Sequence, residues 1–173
     1  MLFRSEELQM KKTALIVIDI QNDITKNYRD IIDNINKAID IAKINKWHVV
    51  YIKHNDLTPS AKYFKPETKG AELVPDLNVI SDNIFIKSKG NALTSEAFKS
   101  FINTNEITEF YIMGADATEC IKSTCYNMAK SGYTVHVISD GITSYNKAKI
   151  PEMIEYYTKK GCNVIKLNEL KTI

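Results

Sequence analysis

Short runs of apolar, mostly β-branched residues alternate along the chain with segments in which apolar residues recur at helical spacing. The runs predict six strands, at about residues 13–19, 48–53, 83–87, 110–114, 135–139 and 163–166. The helical spacing predicts four helices, at about residues 28–46, 95–103, 119–131 and 147–160. Because strands and helices alternate throughout, the pattern predicts an α/β fold with a mostly parallel sheet and helices on both faces.

The segment 54–82 is the exception to this alternation. It holds three of the chain's four prolines and shows no strong period, which predicts a long connection with short helical pieces. Connections this long inside a compact domain are often functional. No linker, internal repeat or low-complexity segment divides the chain, so we expect residues 1–173 to form one domain.

The net charge, the N-terminal residues and the number of cysteines indicate which partners and which cellular compartment to expect. A net charge of +2 is too small for a nucleic-acid surface, which needs a concentrated basic face. Residues 1–12 contain no apolar stretch long enough for a signal peptide or a membrane span. Three cysteines are an odd number for a disulfide framework, so we expect free thiols in a reducing cytoplasm.

Three chemically distinct side chains fall at or just beyond the predicted carboxyl ends of strands. Asp19 ends the first strand, Lys87 the third, and Cys120 follows the fourth. A polar residue at any one strand end is unremarkable, since strand ends lead to the surface. In an open parallel sheet, however, these ends share one edge, where ligands bind. A carboxylate, an ammonium and a thiol at that edge indicate a nucleophile with a base and an electrostatic partner.

Cys120 has the local sequence of an activated thiol. The residues from Gly114 to Cys120 take the chain from strand to helix, and Thr118 is the predicted N-cap. Cys120 then lies in the first helical turn, where the helix dipole is expected to lower the pKa of the thiol. The N–H groups of the same turn are suited to binding an oxyanion.

Asp19 and Lys87 are predicted to assist Cys120, whereas the other two cysteines are not. We expect Asp19 to accept the thiol proton, with Lys87 offsetting the carboxylate charge. Cys125 and Cys162 are predicted to be structural. Cys120 and Cys125 lack a second ligand pair for a zinc site, and the sequence has no C-x-x-C redox motif.

Four stretches of this sequence together closely resemble the isochorismatase-like cysteine hydrolases. They are residues 14–23, 87–93, 114–120 and 129–133, and the likeness runs from about Thr13 to Leu170. The resemblance implies a three-layer Rossmann-like fold with a six-stranded sheet. It implies a small-molecule amide or carbamoyl substrate, a thioester intermediate, and a homodimer or homotetramer without a cofactor.

The resemblance also implies a role for each site residue. Cys120 is the nucleophile, Asp19 the general base, and Lys87 the residue that orients and supports them. A cis peptide joins Ala115 to Asp116, and the backbone N–H groups of Asp116 and Cys120 form the oxyanion hole. An aspartate departs from the small apolar residue usual at position 116, so we expect its carboxylate to face solvent or to meet a cationic substrate group.

Several alternatives stay open from the sequence. A different register would put Lys89 in place of Lys87. The nicotinamidase branch carries a metal site with an Asp-x-His pair, but here His54 precedes Asp56, so we expect no metal. His48 and His136 are expected to be structural. Isochorismate cleavage does not need a thiol, so the retained cysteine favours C–N hydrolysis.

Two further classes are weighed against an enzyme of this family. A phospho-accepting signalling domain also alternates strands and helices, but Lys87 stands where such a domain needs an aspartate. A binding module without turnover is the other alternative, because the sequence does not name the substrate. Four aromatic residues in or beside loops are candidates for the pocket wall: Tyr28, Tyr63, Phe64 and Tyr145.

Overall fold

The computed structural model describes residues 12–25 and 28–172. The prediction for the N-terminal stretch therefore lies, except for Lys12, outside the described residues. The six strands are β1 (Thr13–Ile18), β2 (His48–His54), β3 (Ile84–Lys87), β4 (Glu109–Ala115), β5 (Thr134–Thr143) and β6 (Asn163–Ile165). The α-helices of the described residues are α1 (Asn22–Thr25), α2 (Ile32–Ile44), α3 (Glu96–Thr104), α4 (Cys120–Lys130) and α5 (Ile150–Lys159).

All six strands pair in parallel, in the order β3-β2-β1-β4-β5-β6. The chain therefore moves outward in one direction from β1 to β3, returns to the centre, and continues outward on the other side from β4 to β6. The strand order reverses between β1 and β4, and open α/β sheets bind ligands at this switch point. The predicted α/β fold with its six-stranded parallel sheet is confirmed.

Two apolar layers sandwich the sheet. On one face, α3, α4 and α5 bury Phe98, Cys125 and Tyr157 against the strands. On the other face, α2 buries Ile35 and Ile39 at the centre of its apolar stripe. β1 is buried at every position because both of its faces are covered, which accounts for its uninterrupted apolar sequence.

The structure extends or shortens several predicted elements. β5 runs on to Thr143, because a shift in register between Ile112 and Gly114 lets it continue pairing with β4. The helix predicted from residue 147 begins as a 3-10 turn, Lys147–Lys149, and becomes α-helical at Ile150. The four-residue helix α1 was not predicted, since it is too short to show a period.

Residues 55–82 form the expected long connection, with a single 3-10 turn at Lys69–Ala71. In the ranges that the structure describes, no helix combines the length and the hydrophobicity needed to cross a bilayer.

Gly114 allows β4 to lie directly against the end of β1. Its φ is +125°, and a Cβ atom on it would overlap the carbonyl oxygen of Ile18, one residue before Asp19. Gly132, which follows α4, also has a positive φ of +91°, but a Cβ atom there would meet no atom within 4 Å. A side chain at Gly132 would cause backbone strain alone, whereas one at Gly114 would cause both backbone strain and steric overlap.

We expect Gly114→Ala to lower the free energy of unfolding by about 3 kcal/mol or more, because strain and overlap add. Gly132→Ala should lower it by only about 1–2 kcal/mol, the cost of the left-handed conformation alone. Urea unfolding of the two variants measures the difference. Equal losses would contradict a close approach between β4 and β1.

Candidate active site

The three predicted site residues converge at the carboxyl edge of the sheet. Asp19 follows β1, and Cys120 begins α4 after the adjacent strand β4. Lys87 is the last residue of β3 and lies directly opposite His54, the last residue of β2. The parallel register therefore places the ends of four strands beside one another, and the side chains from those ends point into one site.

The ammonium of Lys87 is the centre of the cluster. Its Nζ lies 3.1 Å from Oδ2 of Asp19 and 3.2 Å from Sγ of Cys120. A third contact joins Nζ to Nδ1 of His54 at 2.9 Å. The side chain of Lys87 is fully buried and that of Asp19 is 2% exposed, so this ion pair is shielded from water.

Asp19 has a buried carboxylate and an uncommon backbone conformation. Its φ is +58°, which turns the chain out of β1 while its N–H donates to the carbonyl of Ile52. Burial raises the pKa of Asp19 above the ordinary value of 3.8, and the positive charge of Lys87 opposes that rise. Among the described residues, Oδ1 of Asp19 has no hydrogen-bond partner. That oxygen is free to accept a proton or a substrate N–H.

Cys120 is the first residue of α4, so the predicted position in the first helical turn is confirmed. The predicted cap is wrong, because Glu119 is the N-cap and Thr118 turns its hydroxyl to Asp116. Cys120 is half-buried, whereas Cys125 and Cys162 are buried in the core as expected. Lys89 is exposed and lies outside the cluster.

The expectation of a lowered thiol pKa is wrong. Burial raises the pKa of Cys120 from 9.0 to about 12, and the carboxylate of Asp19 adds to the rise. Lys87 opposes both effects but does not outweigh them. The resting site therefore holds a neutral thiol, and its proton must leave as the sulfur reacts. A carboxylate with a free oxygen nearby suits that requirement.

Two backbone N–H groups, one in the loop before Cys120 and one at Cys120 itself, are candidates for binding an oxyanion. The peptide bond between Ala115 and Asp116 is cis, at the position that the family resemblance implies. The N–H of Asp116 donates to no backbone oxygen of the described residues. That of Cys120, at the first position of a helix, has no intrahelical acceptor. Both groups are therefore available to a ligand oxygen.

The carboxylate of Asp116 is buried, so the expectation that it faces solvent is wrong. Its contact with a cationic substrate group stays a prediction. The residue is 9% exposed. Oδ2 accepts hydrogen bonds from the Tyr28 hydroxyl at 2.7 Å and the Tyr145 N–H at 2.9 Å, and Oδ1 accepts one from the Thr118 N–H at 2.8 Å. Burial alone raises the pKa of Asp116, but the hydrogen bonds outweigh it and the pKa is lowered. Asp116 thus fastens the loop to its neighbours.

Two residues of the site were not predicted, His54 and Gln21. Gln21 is fully buried, its Oε1 accepts from the His54 N–H at 2.8 Å, and its Nε2 donates to the His54 carbonyl at 2.9 Å. A second bond from Nε2 reaches the Ala71 carbonyl at 2.8 Å. The available signal was a glutamine two residues beyond Asp19 at the end of a buried strand.

The long connection is tied to the site by the residues that follow Asp19. Asn22 donates to the Lys69 carbonyl at 2.7 Å, and Asp23 accepts from the Phe64 N–H at 2.7 Å. The Phe64 ring then meets His54 edge-on, with ring centroids 5.6 Å apart. This part of the connection forms one side of the site.

The other candidate aromatic residues have different surroundings. Tyr28 is buried against Asp116, as described above. Tyr63 is 64% exposed and Tyr145 is 79% exposed, so both rings are free to contact a bound molecule. A cavity of about 540 Å³ next to the start of α4 includes Tyr145, Thr118 and Glu119 in its wall.

Asp19, His54 and Cys120 also form a possible set of metal ligands, with donor atoms within 4.8 Å of one another. The Nζ of Lys87 lies within 3.2 Å of a donor atom from each of the three. The ammonium thus holds the position that a cation would take, and these residues do not fit a metal ion while Lys87 is in place. His48 packs edge-on against Phe101, outside this set.

Comparison with known proteins shows the family of the chain. The family profile described as the isochorismatase domain matches residues 13–169. An isochorismatase family protein of Bacillus subtilis, YrdC, is 24% identical over 142 residues, 78% of this chain and 75% of that protein.

Solved structures match over most of both chains. An isochorismatase family protein from Desulfovibrio vulgaris superposes with a TM-score of 0.84 at 18% identity, covering 92% of this chain and 96% of that one. The N-carbamoylsarcosine amidase from Thermoplasma acidophilum superposes with a TM-score of 0.82 at 19% identity, covering 92% and 99%. These likenesses show a shared fold.

Iodoacetamide should alkylate Cys120 well before Cys125 and Cys162, because the latter two are 0% and 4% exposed. The alkylation rate of Cys120 should keep rising with pH beyond 9, since its pKa is raised to about 12 and the thiolate is the reacting form. Peptide mass spectrometry after timed alkylation measures both. A rate that levels off below pH 8 would contradict the raised pKa.

Lys87→Met should lower the free energy of unfolding by about 3–5 kcal/mol near pH 8, because Asp19 keeps its burial and loses its partner. A carboxyl whose folded pKa is raised destabilises the folded state as pH rises above its unfolded pKa. Removing Lys87 raises the folded pKa of Asp19 further, so the destabilisation continues to grow up to a higher pH. The loss of stability should therefore be smaller at pH 5 than at pH 8.

Lys89→Met is the matched control for Lys87→Met, since Lys89 is exposed; its stability should change by less than about 0.5 kcal/mol. Urea unfolding at both pH values makes the comparison. Equal effects of the two substitutions would show that the buried ion pair is not formed.

Proposed function

The chain belongs to the isochorismatase family, and we propose that it is a hydrolase that uses Cys120 to cleave a C–N bond of a small molecule. The substrate class is an amide, a carbamoyl compound or a ureide, and the reaction passes through a thioester. Asp19 acts as the general base and Lys87 as the electrostatic support.

One observation carries this proposal: the Lys87 ammonium contacts the Asp19 carboxylate at 3.1 Å and the Cys120 sulfur at 3.2 Å in a shielded site. A thiol of raised pKa needs a base at the moment of attack and a cation for the negative charge that develops. Lys87 contacts the sulfur at 3.2 Å, and a carboxylate oxygen of Asp19 lies within 4.8 Å of it, so these two residues can supply the two functions. In a buried site each interaction is stronger than it is in water.

In the proposed first half-reaction, the thiol proton of Cys120 passes to Asp19 as the sulfur attacks the substrate carbonyl carbon. The carbonyl oxygen becomes an oxyanion and accepts hydrogen bonds from the N–H groups of Asp116 and Cys120. Collapse of this intermediate breaks the C–N bond, and the leaving nitrogen takes the proton from Asp19. An amine or ammonia departs, and the acyl or carbamoyl group stays on sulfur.

In the second half-reaction, Asp19 takes a proton from a water molecule, which attacks the thioester carbon. The C–S bond breaks, the proton returns to the sulfur, and the acid product leaves. The free Oδ1 of Asp19 is the atom suited to both proton transfers, because Oδ2 is held by Lys87. The chain ends the cycle in its starting protonation state.

The choice of a C–N bond has two supports. The retained thiol with its lysine favours acyl transfer over enol-ether hydrolysis, which proceeds through acid chemistry and does not need a thiol. One of the proteins with the same fold is named for the hydrolysis of a carbamoyl compound, N-carbamoylsarcosine.

A screen of small amides, carbamoyl compounds and ureides with ammonia detection tests the proposal. At least one compound should be hydrolysed, and Cys120→Ala should reduce kcat by about a thousandfold or more. Lys89→Met should retain full activity, since that side chain is exposed.

Two outcomes would overturn the proposal. Turnover that survives in Cys120→Ala would exclude the thiol as nucleophile. Binding of a compound by calorimetry without any product, across the whole screen, would indicate a binding module on the same fold.

A further inference from the structure

The structure gives His54 a position that the three proposed catalytic residues do not explain. We propose that His54 is a positioning residue: it accepts the third hydrogen bond of the Lys87 ammonium and thereby holds that ammonium between Asp19 and Cys120. This inference deepens the proposed function and rests on it for its meaning in catalysis.

Lys87 has as many hydrogen-bond donors as there are acceptors around it. An ammonium has three N–H donors and no acceptor. The structure provides three acceptors around Nζ: Oδ2 of Asp19 at 3.1 Å, Sγ of Cys120 at 3.2 Å and Nδ1 of His54 at 2.9 Å. The set is complete, and the shortest of the three distances is the one to His54. Without His54, one donor of a fully buried ammonium would lack its partner.

His54 has to be neutral to play this part, because only an unprotonated Nδ1 accepts a hydrogen bond. Its surroundings favour that state. Burial lowers the pKa of His54 below 6.5, and the charge of Lys87 lowers it further, against the opposing effects of Asp19 and Asp56. Neutral His54 with an acceptor at Nδ1 carries its proton on Nε2.

The imidazole is held in place from two directions. Gln21 binds both the N–H and the carbonyl of His54, which fixes the backbone at the end of β2. The Phe64 ring meets the imidazole edge-on, with an angle of 89° between the ring planes. The parallel register then sets His54 directly opposite Lys87. The backbone contacts and the ring contact therefore hold Nδ1 of His54 in position beside Lys87.

A neutral acceptor also preserves the charge balance of the site. Lys87 brings one positive charge, which Asp19 already offsets in the resting state. A carboxylate at position 54 would add a second negative charge and oppose the formation of a thiolate on Cys120. An imidazole supplies the hydrogen bond without that charge, so the ammonium stays able to support the sulfur.

Two substitutions separate the hydrogen bond from the bulk of the side chain. His54→Asn can present an oxygen near the position of Nδ1, whereas His54→Leu keeps apolar volume and offers no acceptor. The rate of iodoacetamide alkylation of Cys120 is measured for both, together with kcat and KM once a substrate is known. Urea unfolding shows that each variant is folded.

We expect His54→Leu to slow alkylation and kcat by roughly 10- to 100-fold, the effect of losing one hydrogen bond to a charged group. KM should change by less than about threefold, because Lys87 acts in the transition state. His54→Asn should recover most of the loss, to within roughly threefold of the unmodified protein. Equal impairment of both variants, or no impairment of either, would overturn the proposal.

Nitrogen NMR of the imidazole gives a readout that needs neither turnover nor a stable variant. In the unmodified protein, His54 should be neutral at pH 7 with its proton on Nε2. A proton on Nδ1 would overturn the proposal even if no His54 variant folds. If the substrate screen finds no product while the NMR and alkylation results hold, the proposed reaction fails and the positioning role stands.

Discussion

The buried ammonium of Lys87 is the interaction on which the site depends. A charge removed from water is tolerated only when its donors and its charge are both matched, because desolvation of an ion costs several kcal/mol. Asp19 matches the charge, and Cys120 and His54 complete the hydrogen bonds. Four strand ends must therefore keep a fixed register, since a shift of one residue would remove an acceptor and leave a buried charge uncompensated.

The same constraint explains why a thiol with a raised pKa is compatible with reactivity. Burial and the Asp19 carboxylate hold the proton on Cys120 in the resting state, and Lys87 limits that effect. In the proposed reaction, the proton therefore leaves only as the sulfur attacks a substrate carbonyl carbon. Asp116 contributes indirectly, because its carboxylate fastens the loop that carries the N–H groups beside Cys120.

The strands and the meeting of Asp19, Lys87 and Cys120 could be predicted from the sequence, because apolar runs ending in polar residues are local signals and a parallel sheet aligns its ends. The predicted cap at Thr118 is wrong for a local reason, since its hydroxyl donates to Asp116 two residues earlier. The raised thiol pKa and the surroundings of Asp116 could not be predicted, because they depend on neighbours distant in the chain. His54 was missed for the same reason: its partner lies 33 residues away. The cytoplasmic location, the homodimer or homotetramer and the lack of a metal or cofactor stay predictions.

A nucleophilic Cys120 forms a covalent intermediate with the carbonyl carbon of its substrate, as proposed. The most direct measurement is rapid acid quenching during the first turnover of a hydrolysed amide or carbamoyl compound, followed by intact-mass and peptide mass spectrometry. We expect a transient mass increase equal to the acyl or carbamoyl group, located on the peptide that contains Cys120. Product formation in the first turnover with the adduct on another residue would contradict it.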